Sequence, residues 1–331
     1  MLKTPYLLFL GDAHDQLAAK VGQGIVDWRP ENAVGQMRLE GCKADLGIAD
    51  MTIEEAIAKG AGTLVVGVAN RGGFIAENWI DELVKALEAG MDLAAGLHNK
   101  LADVPILAET AAKHGRQLFD VRHATESYPV GSGAKRAGKR LLPVGTDCSC
   151  GKMYTALAIE KEMRVRGWKA DFRATGQTGI LITGQGVPLD AVISDFIAGA
   201  IETLAPANDP DHWDLIEGQG SLFHPAYAGV TTGLIHGSQA DALVMCHEPT
   251  RKHMRALPDY PVRDMADLMP YALQMAQLTN QDAKFVGIAV NTKNLAEEEA
   301  MEYLAKTEER FGLPTVDPVR TSVGRIVDTL A

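Results

Sequence analysis

The sequence predicts an α/β protein in two parts, each a parallel sheet covered by helices. Three observations lead there. Short apolar runs alternate with amphipathic, helix-length segments along the whole chain, the pattern of strand–helix–strand units. A glycine-bearing turn at 145–151 joins an apolar run to an amphipathic helix, the junction at which such sheets bind anions. Residues 124–140 break the alternation with Tyr128-Pro129, Gly131-Ser-Gly133 and Lys135-Arg-Ala-Gly-Lys-Arg140. That polar, turn-rich stretch reads as a solvated linker. The expected division is a first domain at 1–124, a linker at 125–140 and a second domain at 141–331.

In the first part, strands are expected at 6–10, 33–39, 63–68, 92–97 and 117–121. Helices are expected at 12–24, 53–59, 78–89 and 108–114, with Gly60, Gly90 and Gly115 where helix ends favour glycine. In the second part, strands are expected at 141–144, 170–174, 214–217, 242–246, 285–290 and 315–316. Helices follow at 153–166, 191–204, 265–277 and 297–311. The first of these carries Arg164 and Arg166 in its last turn and Gly167 beyond it, a charge and cap arrangement that suits a helix C-terminus.

Length and composition bound the function. At 331 residues, with 46% hydrophobic and only 6% aromatic residues, the chain supports two packed cores. A net charge of −11 argues against nucleic acid as a partner. Anion binding would need local cations, which directs attention to Arg71, Lys152, Arg173 and Arg251. Four cysteines without paired CxxC spacing point to a reducing compartment, and no metal is expected. The N-terminal residues run directly into an apolar strand, with no signal-peptide pattern. No apolar run approaches the roughly 20 residues that span a bilayer. A cytoplasmic protein without a membrane partner is expected.

The turn Gly145-Thr-Asp-Cys-Ser-Cys-Gly-Lys152 carries the most chemistry. Its backbone N–H groups, the positive end of the following helix and Lys152 together suit a phosphate or pyrophosphate. Two departures separate it from the usual nucleotide-hydrolase loop. Five residues rather than four lie between the glycines, and Met153 replaces the Ser or Thr after the lysine. That hydroxyl normally ligates Mg²⁺, and a thioether is a poor ligand for a hard cation. A pyrophosphate held but not cleaved is therefore expected at Gly145, Thr146, Asp147, Cys148, Ser149, Cys150, Gly151, Lys152 and Met153.

Other strand exits add candidates. Glu217-Gly-Gln-Gly-Ser221 follows an apolar strand, and Glu217 could bind an ammonium or accept a proton. His224 follows closely and could move a proton. Arg173 could fork onto a carboxylate or phosphate. Gln177, Gln219 and Ser221 add neutral hydrogen-bonding groups for a substrate, and Arg251 ends the Cys246-His-Glu-Pro-Thr-Arg251 exit. In the first part, Asn70-Arg71-Gly-Gly73 and Gly96-Leu-His-Asn-Lys100 follow strands and could close a cleft. Each has a plainer alternative as an ordinary exposed turn. Cys148 and Cys150 lie beside a helix N-terminus, which lowers a thiol's pKa. Either could carry an acyl group, although small loop residues are the commoner explanation.

The three segments 145–153, 172–180 and 216–225, together with 68–73 and 96–99, resemble the D-glutamate N-acetyltransferase family over nearly the whole chain. The loop is also similar to that of dethiobiotin synthetase, which runs Gly-Thr-Asp-Thr with the same five-residue gap. The resemblance implies a Rossmann-like N-terminal domain and a P-loop C-terminal domain. It also implies transfer of acetyl from acetyl-CoA, as co-substrate, to the amino group of D-glutamate in D-glutamate catabolism. On this expectation Gly145 to Lys152 anchor the coenzyme phosphates, and Arg71, Arg173 or Arg251 hold carboxylates. Glu217, with His224 second, takes the ammonium proton. A homo-oligomer is the expected assembly. The rival functions are an ATP/Mg²⁺-dependent ligase of the dethiobiotin type and a non-catalytic nucleotide-binding protein.

Overall fold

The computed structural model describes residues 1–70, 72–124, 126–255 and 257–331. The chain forms two compact units. Met1–Thr125 and Gly176–Ala191 make the first; Glu126–Thr175 and Val192–Ala331 make the second.

The first unit runs β1 (Tyr6–Gly11), α1 (Lys20–Trp28), β2 (Ala33–Arg38), α2 (Ile53–Ala58), β3 (Thr63–Val66), α3 (Ile80–Glu88), β4 (Asp92–Ala95), α4 (Pro105–His114) and β5 (Leu118–Asp120). Its strands are parallel in the order β2-β1-β3-β4-β5. β1, β3 and β4 are buried at every position, as strands covered on both faces must be. α2 opens on a capping box: Thr52 Oγ1 accepts from Glu55 N at 3.2 Å, and Glu55 Oε2 accepts from Thr52 N at 2.9 Å. The helix expected at 12–24 starts only at Lys20. Asp15 Oδ1 accepts from Ala18 N at 2.8 Å, and this local turn competes with helix over the preceding residues.

The second unit begins with β6 (Lys139–Gly145), α5 (Lys152–Val165) and β7 (Ala170–Arg173). The chain then contributes α6 (Gln177–Thr183) to the first unit. It returns for α7 (Ile197–Leu204), β8 (Trp213–Ile216), α8 (Ala228–Ser238), β9 (Ala242–His247), β10 (His253–Met254), β11 (Leu257–Pro261), α9 (Met265–Gln277), β12 (Lys284–Val290), α10 (Glu297–Phe311), β13 (Thr315–Val316) and α11 (Gly324–Asp328). Six strands form a parallel sheet in the order β13-β12-β9-β6-β8-β7. β10 and β11 pair separately as an antiparallel hairpin. Among the described residues, no helix is long and apolar enough to cross a membrane.

The basic stretch leading into β6 is exposed over most of its length, yet several of its cations are anchored. Arg140 is fully buried, with Nη1 donating to Arg136 O at 3.1 Å and Nη2 to Ala137 O at 2.8 Å and Pro206 O at 3.2 Å. Lys135 Nζ meets Asp241 Oδ1 at 2.6 Å. The cations tie this segment to the body by satisfying backbone carbonyls and a carboxylate. α8 has no counterpart among the expected helices. Its glycines and threonines are poor helix formers, but they let it approach α7 closely. A Cβ on Gly237 would lie 2.4 Å from Ala198 O.

Candidate active site

β6 lies between β8 and β9. The chain segments leaving these three strands therefore emerge side by side at the carboxyl edge of the sheet. The loop after β6 folds into a nest: Ser149 (φ 53°) and Gly151 (φ 112°) adopt left-handed backbone before α5 begins at Lys152. The first N–H groups of α5 have no intrahelical acceptor and point into this turn. Lys152 is only 5% exposed. It folds back over the turn, with Nζ donating to Asp147 O at 2.8 Å and lying 3.7 Å from Cys150 Sγ. Thr155 Oγ1 donates to Gly151 O at 3.0 Å and packs under the helix, so it does not replace the hydroxyl that Met153 lacks.

Asp147 is the hub. Its Oδ1 accepts from Cys148 N at 2.7 Å, and its Oδ2 accepts from Arg251 Nη1 at 2.7 Å and from Arg255 N at 2.8 Å. Arg251 also donates to Cys148 O at 2.5 Å and Ser149 O at 3.2 Å, and it pairs with Glu248 at 3.3 Å. Arg251 thus clamps the turn from the β9 exit. Thr146 Oγ1 lies 2.9 Å from His247 Nδ1 on the same exit. Burial lowers the His247 pKa below the ordinary imidazole value.

The β8 exit contributes Glu217, which is 4% exposed. Its Oε2 accepts from Thr175 N at 2.8 Å and its carbonyl from Thr175 Oγ1 at 2.7 Å. Gln219 Nε2 donates to the same hydroxyl at 3.1 Å. Gly218 brings this exit against the 145–152 turn. A Cβ there would lie 1.9 Å from Pro143 O and 2.9 Å from Lys152 Cδ, so only glycine permits the approach. Ser221 Oγ is buried without a hydrogen-bond partner among the described residues.

His224 is 2% exposed and stacks on Tyr227 at 4.6 Å. Its Nδ1 accepts from Ala226 N at 3.2 Å, so in the neutral ring the proton sits on Nε2. Among the described residues, that Nε2 has no hydrogen-bond partner, and it faces Asp147 Oδ1 at 4.0 Å. Asp147, Cys148 and His224 bring their ligating atoms within 4.8 Å of one another. They suit a cation poorly. The His224 lone pair is already used at Nδ1, and Arg251 neutralises the carboxylate.

Not every expected residue joins this cluster. Arg173 Nε pairs with the fully buried Asp214 at 2.7 Å, and Nη2 lies 3.7 Å from Asp171. Gln177 belongs to the first unit, beside Gly96. Arg71 lies outside the described residues. Within the first unit, the turn carrying Gly73 packs on the next, with Asn99 N donating to Gly73 O at 2.9 Å. Burial raises the Cys148 pKa despite the opposing charge of Lys152, and Cys150 is 1% exposed, which favours both as small loop residues over acyl carriers. Sequence reading missed Thr175 as the partner of Glu217. It also missed Arg255, whose Nη1 donates to Ser149 Oγ. Nothing local marks Arg255; its place depends on the β10–β11 hairpin folding back over the turn.

Residues 129–327 match the family described as "Domain of unknown function (DUF1611_C) P-loop domain", and residues 37–124 match its "(DUF1611_N) Rossmann-like domain". Over 331 residues the chain is 64% identical to a D-glutamate N-acetyltransferase of Tritonibacter scottomollicae, covering 100% of this chain and 99% of that one. It is 48% identical to a second D-glutamate N-acetyltransferase, from a Pseudoalteromonas species, over 99% of both chains. A crystal structure of a DUF1611 family protein from Anabaena variabilis superposes with a TM-score of 0.86 at 33% identity, over 99% of each chain. The chain belongs to the DUF1611 family, and with its two full-length relatives to the D-glutamate N-acetyltransferases.

Proposed function

We propose that this protein transfers the acetyl group of acetyl-CoA to the amino group of D-glutamate, giving N-acetyl-D-glutamate and free coenzyme A. The observation that carries the reading is a phosphate-binding turn with a buried lysine and with Met153 where a Mg²⁺-binding hydroxyl would stand. Such a turn suits a diphosphate that is gripped intact. The names of the two full-length relatives support the same chemistry.

The residues divide the work. Backbone N–H groups of the 145–152 turn and the start of α5 bind the coenzyme diphosphate, and Lys152 turns from Asp147 O toward it. Glu217 accepts a proton from the substrate ammonium, because only the neutral amine attacks a thioester. The Thr175 N–H fixes that carboxylate in place. His224 offers Nε2–H to the acyl oxygen as negative charge develops there. The C–S bond breaks as the new C–N bond forms, and the thiolate takes up a proton on leaving. Arg251 and Asp147 hold the turn in shape. A reducing, cytoplasmic setting fits four free cysteines.

Purified protein given acetyl-CoA and D- or L-glutamate, with and without ATP and Mg²⁺, tests this. Free thiol and N-acetylglutamate are expected with the D-isomer and without ATP. Thiol that is never released, or ADP formed in its place, would sink the reading in favour of a ligase.

A further inference from the structure

We infer that Arg255, on the β10–β11 hairpin, is a second cation of the phosphate-binding turn and grips a phosphate of the acyl-CoA. This deepens the acetyl-CoA reading above and rests on it. Arg255 Nη1 donates to the hydroxyl of Ser149, one of two left-handed residues of the turn. The side chain therefore lies on the rim of the nest where an anion would sit.

The hairpin is already fastened without this guanidinium. The Arg255 backbone N–H reaches Asp147 Oδ2 at 2.8 Å, and Arg251 reaches the same oxygen at 2.7 Å. Pinning the loop therefore does not account for the Arg255 charge. The other arginines near the sheet edge have carboxylate partners: Arg173 has Asp214, and Arg251 has Asp147 and Glu248. Among the described residues, Arg255 meets a hydroxyl and makes no ion pair. In a chain of net charge −11, an exposed and uncompensated cation on an anion-binding turn concentrates positive potential there. A guanidinium also forks onto phosphate oxygens, which ammonium groups do less well.

Acetyl-pantetheine is the discriminating probe, because it carries a reactive thioester and no phosphate. R255A should raise KM for acetyl-CoA about tenfold or more. KM for D-glutamate, the melting temperature and turnover of acetyl-pantetheine should stay unchanged. R255K should fall between the two proteins. Equal losses with both donors, or no change with acetyl-CoA, overturn the assignment. If the wild-type protein releases no thiol from either donor, the transfer reading falls, and calorimetry with coenzyme A alone then decides on Arg255. A Kd weakened about tenfold in R255A supports it; an unchanged Kd overturns it.

Discussion

Glu217 and His224 sit on one loop, yet their surroundings fit them for opposite tasks. Glu217 has a carboxylate steadied by the Thr175 N–H, whereas His224 has an acceptor nitrogen occupied by Ala226 and a donor nitrogen without a partner among the described residues. E217Q should therefore bind coenzyme A normally and lose about 100-fold or more in kcat, the usual scale for a general base. Stopped thiol release with calorimetry on the same sample checks both halves. H224A should lose about 100-fold in kcat, the typical effect of removing one oxyanion donor. H224Q should recover part of that loss, because a glutamine amide places an N–H near the imidazole Nε2 position. If H224Q is as inactive as H224A, donation is not the role. At Cys148, burial raises the thiol pKa, the wrong direction for a nucleophile, so C148A should retain turnover, and its loss would revive a covalent acyl carrier.

Among the elements, the β6–α5 junction and the β8 exit act as one piece because Gly218 lets them touch. G218A places a methyl group against Pro143 O and should cost about 1–3 kcal/mol of stability while weakening coenzyme A binding. Thermal melts and calorimetry read the two effects, and a variant with wild-type values for both would separate the loops. The junction was legible in the sequence because an apolar run, a glycine turn and a charged-tail helix follow one another there. The sheet order was not, because pairing between distant strands leaves no local trace. α8 was hidden by its glycines, two of which, Gly233 and Gly237, meet α7 too closely to carry a side chain. The expected roles of Arg173 and Arg251 could not be judged without their partners: Asp214 and Asp147 lie 41 and 104 residues away. Arg255 was hidden for the same reason, since the hairpin that delivers it is a tertiary feature.

For the whole molecule, acid should be the destabilising direction, in two stages. Burial lowers the His247 pKa in the folded protein, so the unfolded chain binds the extra proton first. The stability this group contributes is complete above about pH 6.5 and declines as pH falls toward the folded value. For Asp317, burial pushes the pKa up, but hydrogen bonds from Thr292, Arg320 and Val319 outweigh it and leave the pKa below the ordinary value. That contribution is complete above about pH 4 and is lost as pH falls through the lowered value. The melting temperature should be level from about pH 7 to about pH 8, sag gently below about pH 6.5 and drop steeply below about pH 4. H247Q should remove the sag alone; a sag that persists in H247Q would place its source elsewhere. A different consequence follows from Gly176–Ala191 being sequestered by the first unit. The gene has no clean seam between its halves. A recombination near codon 125 would bring in a foreign front half but keep the resident α6 that must complete it, so the two would have to change in step over evolutionary time.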